Sequence, residues 1–551
     1  MKNVQIKNGS ILLGTHWEDR HLAGGLPGAR WAPREKCWKV PATPACAGAV
    51  CRAFGEEEVR AIADDGFCEL LAKRDRRRQV RERHGNAGAD YIYHTEPWGH
   101  QVGATRFARD MDVALLHCWM GAGKTKVTLD AAHARGHRTV LVICPKSVIT
   151  VWQKETQKHA LGDTFVLRLV GDSVVKRAAR LKRELRRWEI DEPDMMLMAV
   201  VNYEATWREP LAKVLLGHEW DLIVFDESQR IKSPGSKQGR FAARLKAKHK
   251  LALTGTPMSH SPLDLYGQYR ALDPGIFGTR FTRFRARYAV MGGFEGRQVL
   301  GFQNEDELKV KMDRICYHVP KDALDLPRIQ FDERYCTLDR QAARIYKDLE
   351  KAFIAEVEDG IVTAANALAK LLRLQQVAAG FVKTEDGRIR EVGKAKERLL
   401  TETLEDIGGG ERVVVFCRFR HDLDTVRRVA EKLDRGGLHK TCGEISGRVN
   451  EYEEWKRGEF STLAVQIQAG GLGIDLTEAR YVIYFTLGFS LGDYQQSVAR
   501  VHRPGQEHPV QVYRLVTEGT VDRKIIKALD AREDVIRLIL EEVGHGNGRR
   551  D

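Results

Sequence analysis

Met120-Gly121-Ala122-Gly123-Lys124-Thr125 is a glycine-spaced run ending in Lys-Thr, and the apolar stretch Val113-Ala114-Leu115-Leu116 leads into it. A strand, a glycine turn and a helix start bring several backbone N–H groups and a positive helix end to one point, which is a cradle for phosphate. Lys124 would reach β- and γ-phosphates, and the Thr125 hydroxyl would ligate Mg²⁺. Cys118 stands where the eight-residue form of such a loop carries its first glycine, so the match is partial. The plain alternative is a glycine turn ahead of an ordinary helix. A second stretch, Leu222-Ile223-Val224-Phe225-Asp226-Glu227, is an apolar run that ends in two acids. A nucleotide hydrolase needs such a pair opposite its phosphate loop: Asp226 to hold Mg²⁺, Glu227 to orient and deprotonate the attacking water. Farther on, Arg500 and Arg503 lie three apart in a helix-like stretch and are expected to share a helix face. From there two guanidinium groups could meet γ-phosphate charge as arginine fingers; a basic solvated face is the alternative.

These residues need a frame. From about residue 90, short apolar runs alternate with amphipathic stretches, the pattern of a parallel sheet flanked by helices. Strands are expected at 113–116, 139–144, 165–170, 196–201, 222–225 and 251–254. In open parallel sheets ligands sit at the C-terminal strand ends. The polar residues fall there: Gly121 to Thr125, Pro145-Lys146-Ser147, Asn202-Tyr203, Asp226-Glu227 and Thr254-Gly255-Thr256. Residues 263–327 read as helical and are rich in Arg, Phe and Tyr. Helices are expected at 339–358 and 362–379 after an alternating segment at 329–337. A second series of strands is expected at 413–416, 463–467, 481–485 and 510–515, then a helix at 521–543 and a frayed tail at 544–551. The fold class is α/β, with two tandem parallel-sheet lobes of like kind carrying helical insertions.

Ahead of them, residues 1–55 read as a small α+β module. Asn8-Gly9 between two apolar runs signals a hairpin. A second hairpin over 29–40 would pair Trp31 with Trp38 and turn Arg30, Arg34, Lys36 and Lys39 outward. Aromatic and basic residues interleaved in this way suit nucleic acid, and two core tryptophans under a solvated face are the equal alternative. Thr43 is placed to N-cap a helix with Pro44 at its first position and Gly55 at its end. The basic run Lys73 to Arg83 reads as a solvated helix face or a phosphate-tracking one, ahead of a linker at 84–88. The expected divisions are 1–83, 84–270, 271–328 (a helical insertion of the first lobe) and 329–551, with a helical insertion at about 339–380.

Composition narrows the partners. At 551 residues the chain exceeds one core and should form two to four domains. Lys and Arg outnumber Asp and Glu by 89 to 76, a net +13 that fits a polyanion, nucleic acid first. The ten cysteines form no CxxC pair, so neither zinc nor a disulfide framework is expected, and a reducing compartment is. No apolar run approaches the roughly 18 residues of a membrane span, and the first residues lack the apolar core of a signal peptide. The expectation is a cytoplasmic protein without membrane contact.

Taken together, the ordered stretches resemble those of a Swi/Snf-type ATPase of helicase superfamily two, over about residues 93 to 530. His100-Gln101 resembles the adenine-reading glutamine motif, Met120 to Thr125 motif I, and Leu141 to Val148 with Trp152 motif Ia. Val201-Asn202-Tyr203-Glu204 resembles motif Ib, Asp226 to Pro234 motif II, and Leu251 to Pro257 motif III. Val415-Phe416-Cys417-Arg418-Phe419 resembles motif IV, Gln468-Ala469-Gly470-Gly471-Leu472-Gly473-Ile474-Asp475 motif V, and Arg500 to Gln506 motif VI. The resemblance implies two RecA-like lobes that close on Mg²⁺ and ATP and step along DNA without reading its sequence. Gln101, Met120 to Thr125, Gly473 and Asp475 would bind nucleotide. Pro145, Lys146, Ser147, Trp152, Asn202, Tyr203, Thr254, Arg418, Phe419, Gln468, Ala469, Gly470 and Gly471 would grip DNA. Two departures stand out: Ser228-Gln229 replaces the family's usual Ala-His, and Asp475 stands where Asn is common. Trp31 to Pro41 resembles the HARP module that accompanies DNA-annealing motors, which implies DNA contact by Arg30, Trp31, Arg34, Lys36, Trp38 and Lys39. The implied function is a DNA-dependent ATPase that translocates on duplex or branched DNA, with annealing or fork remodelling as its outcome. A strand-separating DNA or RNA helicase and an ATP-gated DNA clamp with little turnover remain open.

Overall fold

The structure is a computed structural model and describes residues 1–83, 91–191, 194–258, 261–292, 298–358, 364–384, 386–435, 442–467 and 474–531. The expected linker at 84–88, the phosphate-gripping run Gln468-Ala469-Gly470-Gly471 with Gly473, and the end of the last helix with its tail lie outside the described residues. The chain forms two compact units, Met1–Ala323 and Leu324–Asp551.

The first unit begins with four strands, β1 (Asn3–Lys7), β2 (Ser10–Gly14), β3 (Arg30–Ala32) and β4 (Cys37–Pro41), in an antiparallel sheet of order β1-β2-β4-β3. Asn8 and Gly9 both take positive φ, 51° and 71°, so the β1–β2 turn has the twist that suits a two-residue hairpin. Trp31 and Trp38 face each other in the β3–β4 register, their rings edge to face at 5.5 Å. Helix Pro44–Phe54 starts as its residues dictate: the Thr43 hydroxyl accepts from Cys46 N at 3.2 Å, and Gly55 ends it with φ 85°. Helix Asp65–Glu82 is capped by Asp64 and sends Phe67 and Leu71 into a core with Val4, Ile11, Leu13 and Val40.

The larger part of this unit is a seven-stranded sheet. Its strands are β5 (Val113–Cys118), β6 (Thr139–Cys144), β7 (Thr164–Leu169), β8 (Met196–Asn202), β9 (Trp220–Asp226), β10 (Ala247–Thr254) and, after the small antiparallel hairpin β11 (Ala289–Gly292) and β12 (Gln298–Phe302), β13 (Cys316–Val319). The order is β13-β5-β10-β9-β6-β8-β7, and every pairing is parallel. All seven residues of β8 are buried, as a sheet covered on both faces requires. Residues 263–327 are therefore not wholly helical: three helices, Leu265–Leu272, Pro274–Phe277 and Phe281–Tyr288, precede the hairpin, and one, Glu305–Met312, precedes β13. A strand of four residues with His318 turned outward gives too little alternation to stand out among aromatic helices.

The second unit repeats the plan. Its strands are β14 (Ile329–Cys336), the hairpin β15 (Phe381–Lys383) and β16 (Ile389–Glu391), β17 (Val413–Cys417), β18 (Cys442–Ile445), β19 (Thr462–Gln466), β20 (Tyr481–Tyr484) and β21 (Val510–Thr517). Six form a parallel sheet of order β14-β21-β20-β17-β19-β18. Strand β18 is absent from the sequence reading because Gly443 and Glu444 interrupt its apolar run. Helices Arg340–Glu358 and Ala364–Ala378 pack on the sheet through Tyr346, Phe353, Leu371 and Leu374.

Candidate active site

Strand β10 lies between β5 and β9, with Leu253 opposite both Leu116 and Asp226, and Thr254 opposite His117. This register brings the phosphate loop after β5, Thr254, and the two acids after β9 to one edge of the sheet. In the loop, Gly121 and Gly123 take φ of 81° and 77°, and Gly123 caps helix Lys124–Ala134. A side chain at Gly123 would collide with the Gln101 amide, 2.1 Å from where its Cβ would stand. The Gln101 Nε2 donates to Ala122 O at 3.2 Å, its Oε1 accepts from Trp98 N at 3.0 Å, and His100 Nε2 lies 3.0 Å from the same carbonyl. Gln101 is 2 % exposed. Each end of its amide makes a hydrogen bond within the protein, so it braces the loop. The exposed ring beside the loop is Trp98, 45 % accessible, which sequence reasoning did not single out although it stands three residues before Gln101. Lys124 Nζ donates to Cys118 O at 3.3 Å, across the turn that the loop makes.

The acids are held as firmly. Trp152 Nε1 donates to Asp226 Oδ2 at 2.9 Å, Glu227 N donates to Oδ1 at 3.0 Å, and the Tyr203 hydroxyl donates to the Asp226 carbonyl at 2.8 Å. Burial, then the neighbouring Glu227 charge, push the Asp226 carboxyl up to about 6, against the opposing pull of Trp152 and Lys124. Glu227 has φ 51° and ψ 56°, the left-handed region that a residue with a side chain seldom occupies. Such strain costs on the order of 1–3 kcal/mol and persists where neighbours over-determine it. Here Gln229 Nε2 donates to Glu227 Oε2 at 2.7 Å, and the Thr254 hydroxyl donates to Gln229 Oε1 at 2.8 Å. Thr256 N in turn donates to Thr254 Oγ1 at 3.0 Å. Ser228, fully buried, donates to Gln268 Oε1 at 2.7 Å, and Gln268 Nε2 donates to Pro257 O at 2.7 Å. The two residues that depart from the Ala-His pattern thus tie the end of β9 to the segment after β10.

The residues present fit Mg²⁺ and ATP. The donor set is one hydroxyl, Thr125, and one carboxylate, Asp226, the sparse oxygen complement with which Mg²⁺ is held when phosphates and water supply the rest. The Lys124 charge acts on Asp226, which places the loop and the acid within one electrostatic neighbourhood.

Several residues expected to touch DNA do not present themselves. Trp152 and Tyr203 are 1 % exposed, Thr254 0 % and Asn202 7 %. They are interior because each is bonded to the acid pair or its surroundings; Asn202, for one, joins Arg177 to Glu204. Pro145 is also buried, which leaves the exposed Lys146 and half-buried Ser147, on a short turn after β6, at the surface. In the N-terminal module Trp31 is half exposed, Trp38 packs inward over Gly24, and Lys39 pairs with Glu35 at 2.6 Å; Arg30, Arg34 and Lys36 are exposed.

In the second unit, Arg418 lies over the Phe489 ring at 4.2 Å, and burial lowers its guanidinium to about 10. Phe419 N donates to Asp422 Oδ2, which caps that turn. Asp475 is closed into a local turn by Thr477, whose N–H and hydroxyl both donate to its Oδ1. Gln506 Nε2 donates to Thr477 O and Ala479 O, each at 2.9 Å, fastening the Arg500–Gln506 stretch to the segment after Asp475. Arg500 and Arg503 do not share a helix face. Helix Leu491–Val501 ends before Arg503, because Pro504 disfavours helical backbone in the residue ahead of it. Arg503 Nε is buried and finds no hydrogen-bond partner among the described residues.

Known proteins are similar to this chain in sequence. A Bacillus subtilis protein, YwqA, provisionally named an ATP-dependent helicase/translocase, is 26 % identical over 73 % of this chain and 43 % of its own length. The chromodomain-helicase-DNA-binding protein 1-like of Mus musculus is 24 % identical over 77 % of this chain and 47 % of its own. The chain thus spans under half the length of these two relatives. Protein p41 of Acyrthosiphon pisum secondary endosymbiont phage 1 is 26 % identical over 78 % of this chain and 95 % of its own. Among solved structures, the Sulfolobus solfataricus SWI2/SNF2 ATPase core in complex with dsDNA aligns over 84 % of this chain and 95 % of that one, at 23 % identity and a TM-score of 0.38. A family model described as the SNF2-related domain matches residues 68–380, and one described as the helicase conserved C-terminal domain matches residues 395–505. With more than half of its length matched by the first of these, the chain belongs to the SNF2-related family.

Proposed function

We propose that this protein is an ATP hydrolase whose turnover is driven by DNA and moves it along the duplex without regard to sequence. One observation carries the reading. Glu227, in a strained backbone conformation, is hydrogen-bonded through Gln229 to Thr254 on the same sheet edge that presents Lys124. Lys124 holds the phosphates. Glu227 takes the proton of the attacking water, and Gln229 sets the direction of its carboxylate. Trp98 offers the nucleotide base a flat apolar face. Thr125 and Asp226 would hold Mg²⁺, which would neutralise charge on the β- and γ-phosphates. Arg500 and Arg503 are assigned to the charge that develops on the γ-phosphate, and the partnerless Nε of Arg503 suits a ligand. The naming of the Mus musculus relative as a helicase-DNA-binding protein and the net charge of +13 support DNA as the partner. The Lys146 turn and Arg418 supply phosphate contacts, and the HARP-like module adds annealing or fork remodelling. The site of action is the cytoplasm.

The test is ATP turnover measured with no nucleic acid, with single-stranded, duplex and forked DNA, and with RNA, at two salt concentrations. Duplex DNA is expected to stimulate turnover, less so at higher salt. Lys124→Ala and Glu227→Gln should each abolish hydrolysis, with Glu227→Gln retaining nucleotide. Arg503→Ala should lower turnover by about 10³-fold or more. Turnover indifferent to every nucleic acid, or wild-type turnover in the Lys124 or Glu227 variant, would overturn the proposal.

A further inference from the structure

Away from the sheet edge, the first unit holds a cavity of about 390 Å³ between the N-terminal helices Pro44–Phe54 and Asp65–Glu82 and the surface that carries Ile276, Val310 and Arg314. Its walls bring together six arginines and two acids. The acids are already engaged: Glu56 accepts from Arg74 and Arg60, and Asp75 from Arg74. Arg77 is held by Asp112 and Asp273, and Arg78 reaches Glu82 at 3.9 Å. Arg52, Arg81 and Arg314 are left. None of the three has a carboxylate within ion-pair distance or a side-chain hydrogen bond among the described residues, although they come from three different helices or turns. Arg52 and Arg81 are exposed, and Arg314 is half-buried. Burial, then the charges of Arg52 and Arg81, lower the Arg314 guanidinium from its usual range, so those two charges reach Arg314 across the cavity.

Like charges gathered where water is partly excluded raise the free energy of the fold unless an anion joins them. Guanidinium forks match phosphate oxygens in pairs, which an ammonium cannot do. Beside them Pro44, Ala45 and Ile276 give the cavity an apolar wall on which a sugar or base can rest, and Val310, 61 % exposed, extends it outward. We propose that this cavity binds the phosphodiester backbone of a nucleic-acid strand, with Arg52, Arg81 and Arg314 on its phosphates. A strand is favoured over a free nucleotide because three of the lining arginines, Arg52, Arg78 and Arg81, are exposed, where successive phosphates can reach them. The proposal rests on DNA being the partner of the motor and adds a second hold on it. That hold is fixed to the first unit by the Arg77 ion pairs and is separate from the loops at the sheet edge.

The experiment compares the full chain with Arg52→Ala/Arg81→Ala/Arg314→Ala by DNA affinity across a salt series and by ATP turnover. The variant is expected to bind duplex or forked DNA about 10-fold or more weakly at moderate salt, with the slope of log K against log salt smaller by about one to two. Turnover without DNA and at saturating DNA should be unchanged, and the DNA concentration for half-stimulation should rise. The melting temperature should hold or rise, because a repulsive cluster has been removed; Arg314→Lys should restore part of the affinity. Unchanged affinity and slope would overturn the proposal, as would weaker binding accompanied by a fall in melting temperature. A second arm titrates fluorescent ATP against Lys124→Ala with and without the triple substitution. Nucleotide binding that survives Lys124→Ala and is lost with the arginines would assign the cavity to a free nucleotide and overturn the strand reading. If the wild-type protein hydrolyses ATP without regard to DNA while its DNA affinity still depends on the three arginines, the motor reading fails and this one stands.

Discussion

Glu227 is costly to hold where it is, and Gln229 and Thr254 are what hold it. The three side chains make one chain of hydrogen bonds, from the acid through the amide to the hydroxyl, and a chain of this kind should respond as a unit. Gln229→Ala frees the Glu227 carboxylate to turn, and Thr254→Val leaves the half-buried Gln229 oxygen without its donor. Each should cost about 1–2 kcal/mol of transition-state stabilisation, or roughly 5- to 30-fold in turnover. The double variant should lose little more than either alone, a departure from additivity that a double-mutant cycle on kcat measures. Fully additive losses would show that the two residues act separately. The sequence makes Lys124, Thr125, Asp226 and Glu227 legible because phosphate chemistry demands those residue types at strand ends. It does not disclose the partner across the sheet. Trp152 and Tyr203 sit in motif-like stretches and read as DNA contacts, yet their polar atoms are spent on Asp226. That assignment needs the register of β6, β8 and β9, which no local pattern specifies.

At the scale of elements, strands were legible wherever burial on both faces forces a continuous apolar run, as in β8 and β17. They were not where a run is short or holds a polar residue, as in β13 and β18. What fixes their neighbours is often one side chain. Asp221, in β9, accepts from the N–H groups of Arg138 and Thr139 at 2.9 Å each and pairs with Lys248 at 2.8 Å, so it binds the starts of β6 and β10 to its own strand. Burial works to raise its carboxyl, but Lys248 and the two backbone donors prevail and hold it at about 2. The folded value is below the unfolded one of about 3.9, so the stabilisation is present above about pH 4 and lost as pH falls toward 2. The size is about 2–3 kcal/mol. Asp221→Asn should therefore lower the urea midpoint at pH 7, and the gap from wild type should narrow steadily below pH 4. A gap independent of pH would mean that shape, and not charge, is what Asn fails to reproduce.

At the scale of the molecule, the N-terminal module is not loosely attached to the seven-stranded sheet that follows it. The basic helix ahead of the linker reads as a solvated face, but Arg77 on it is buried, and its guanidinium donates to both Asp112 oxygens and to Asp273 Oδ2 at 2.6–2.8 Å. Asp112 precedes β5, which carries the phosphate loop, and Asp273 caps helix Pro274–Phe277, where Gly275 lets Thr43 and Cys46 approach too closely for any side chain. Nothing in a run of arginines marks which one will be enclosed; that is decided by carboxylates 35 and 196 residues away. Removing one partner of a buried charge network strands the others, and the usual cost is about 3–5 kcal/mol. Arg77→Ala is thus expected to lower the melting temperature of the first unit and to open the module to proteolysis, whereas Arg76→Ala on the exposed face should do neither. Deleting residues 1–83 should be worse than either, since it takes the Arg77 guanidinium from Asp112 and from the fully buried Asp273 and bares the Gly275 surface to water. Turnover of that truncated chain would then fall through loss of folded protein, and the fall would follow the folded fraction measured by calorimetry. A truncated chain that melts like the full one, and loses only DNA affinity, would make the module an independent DNA-binding domain.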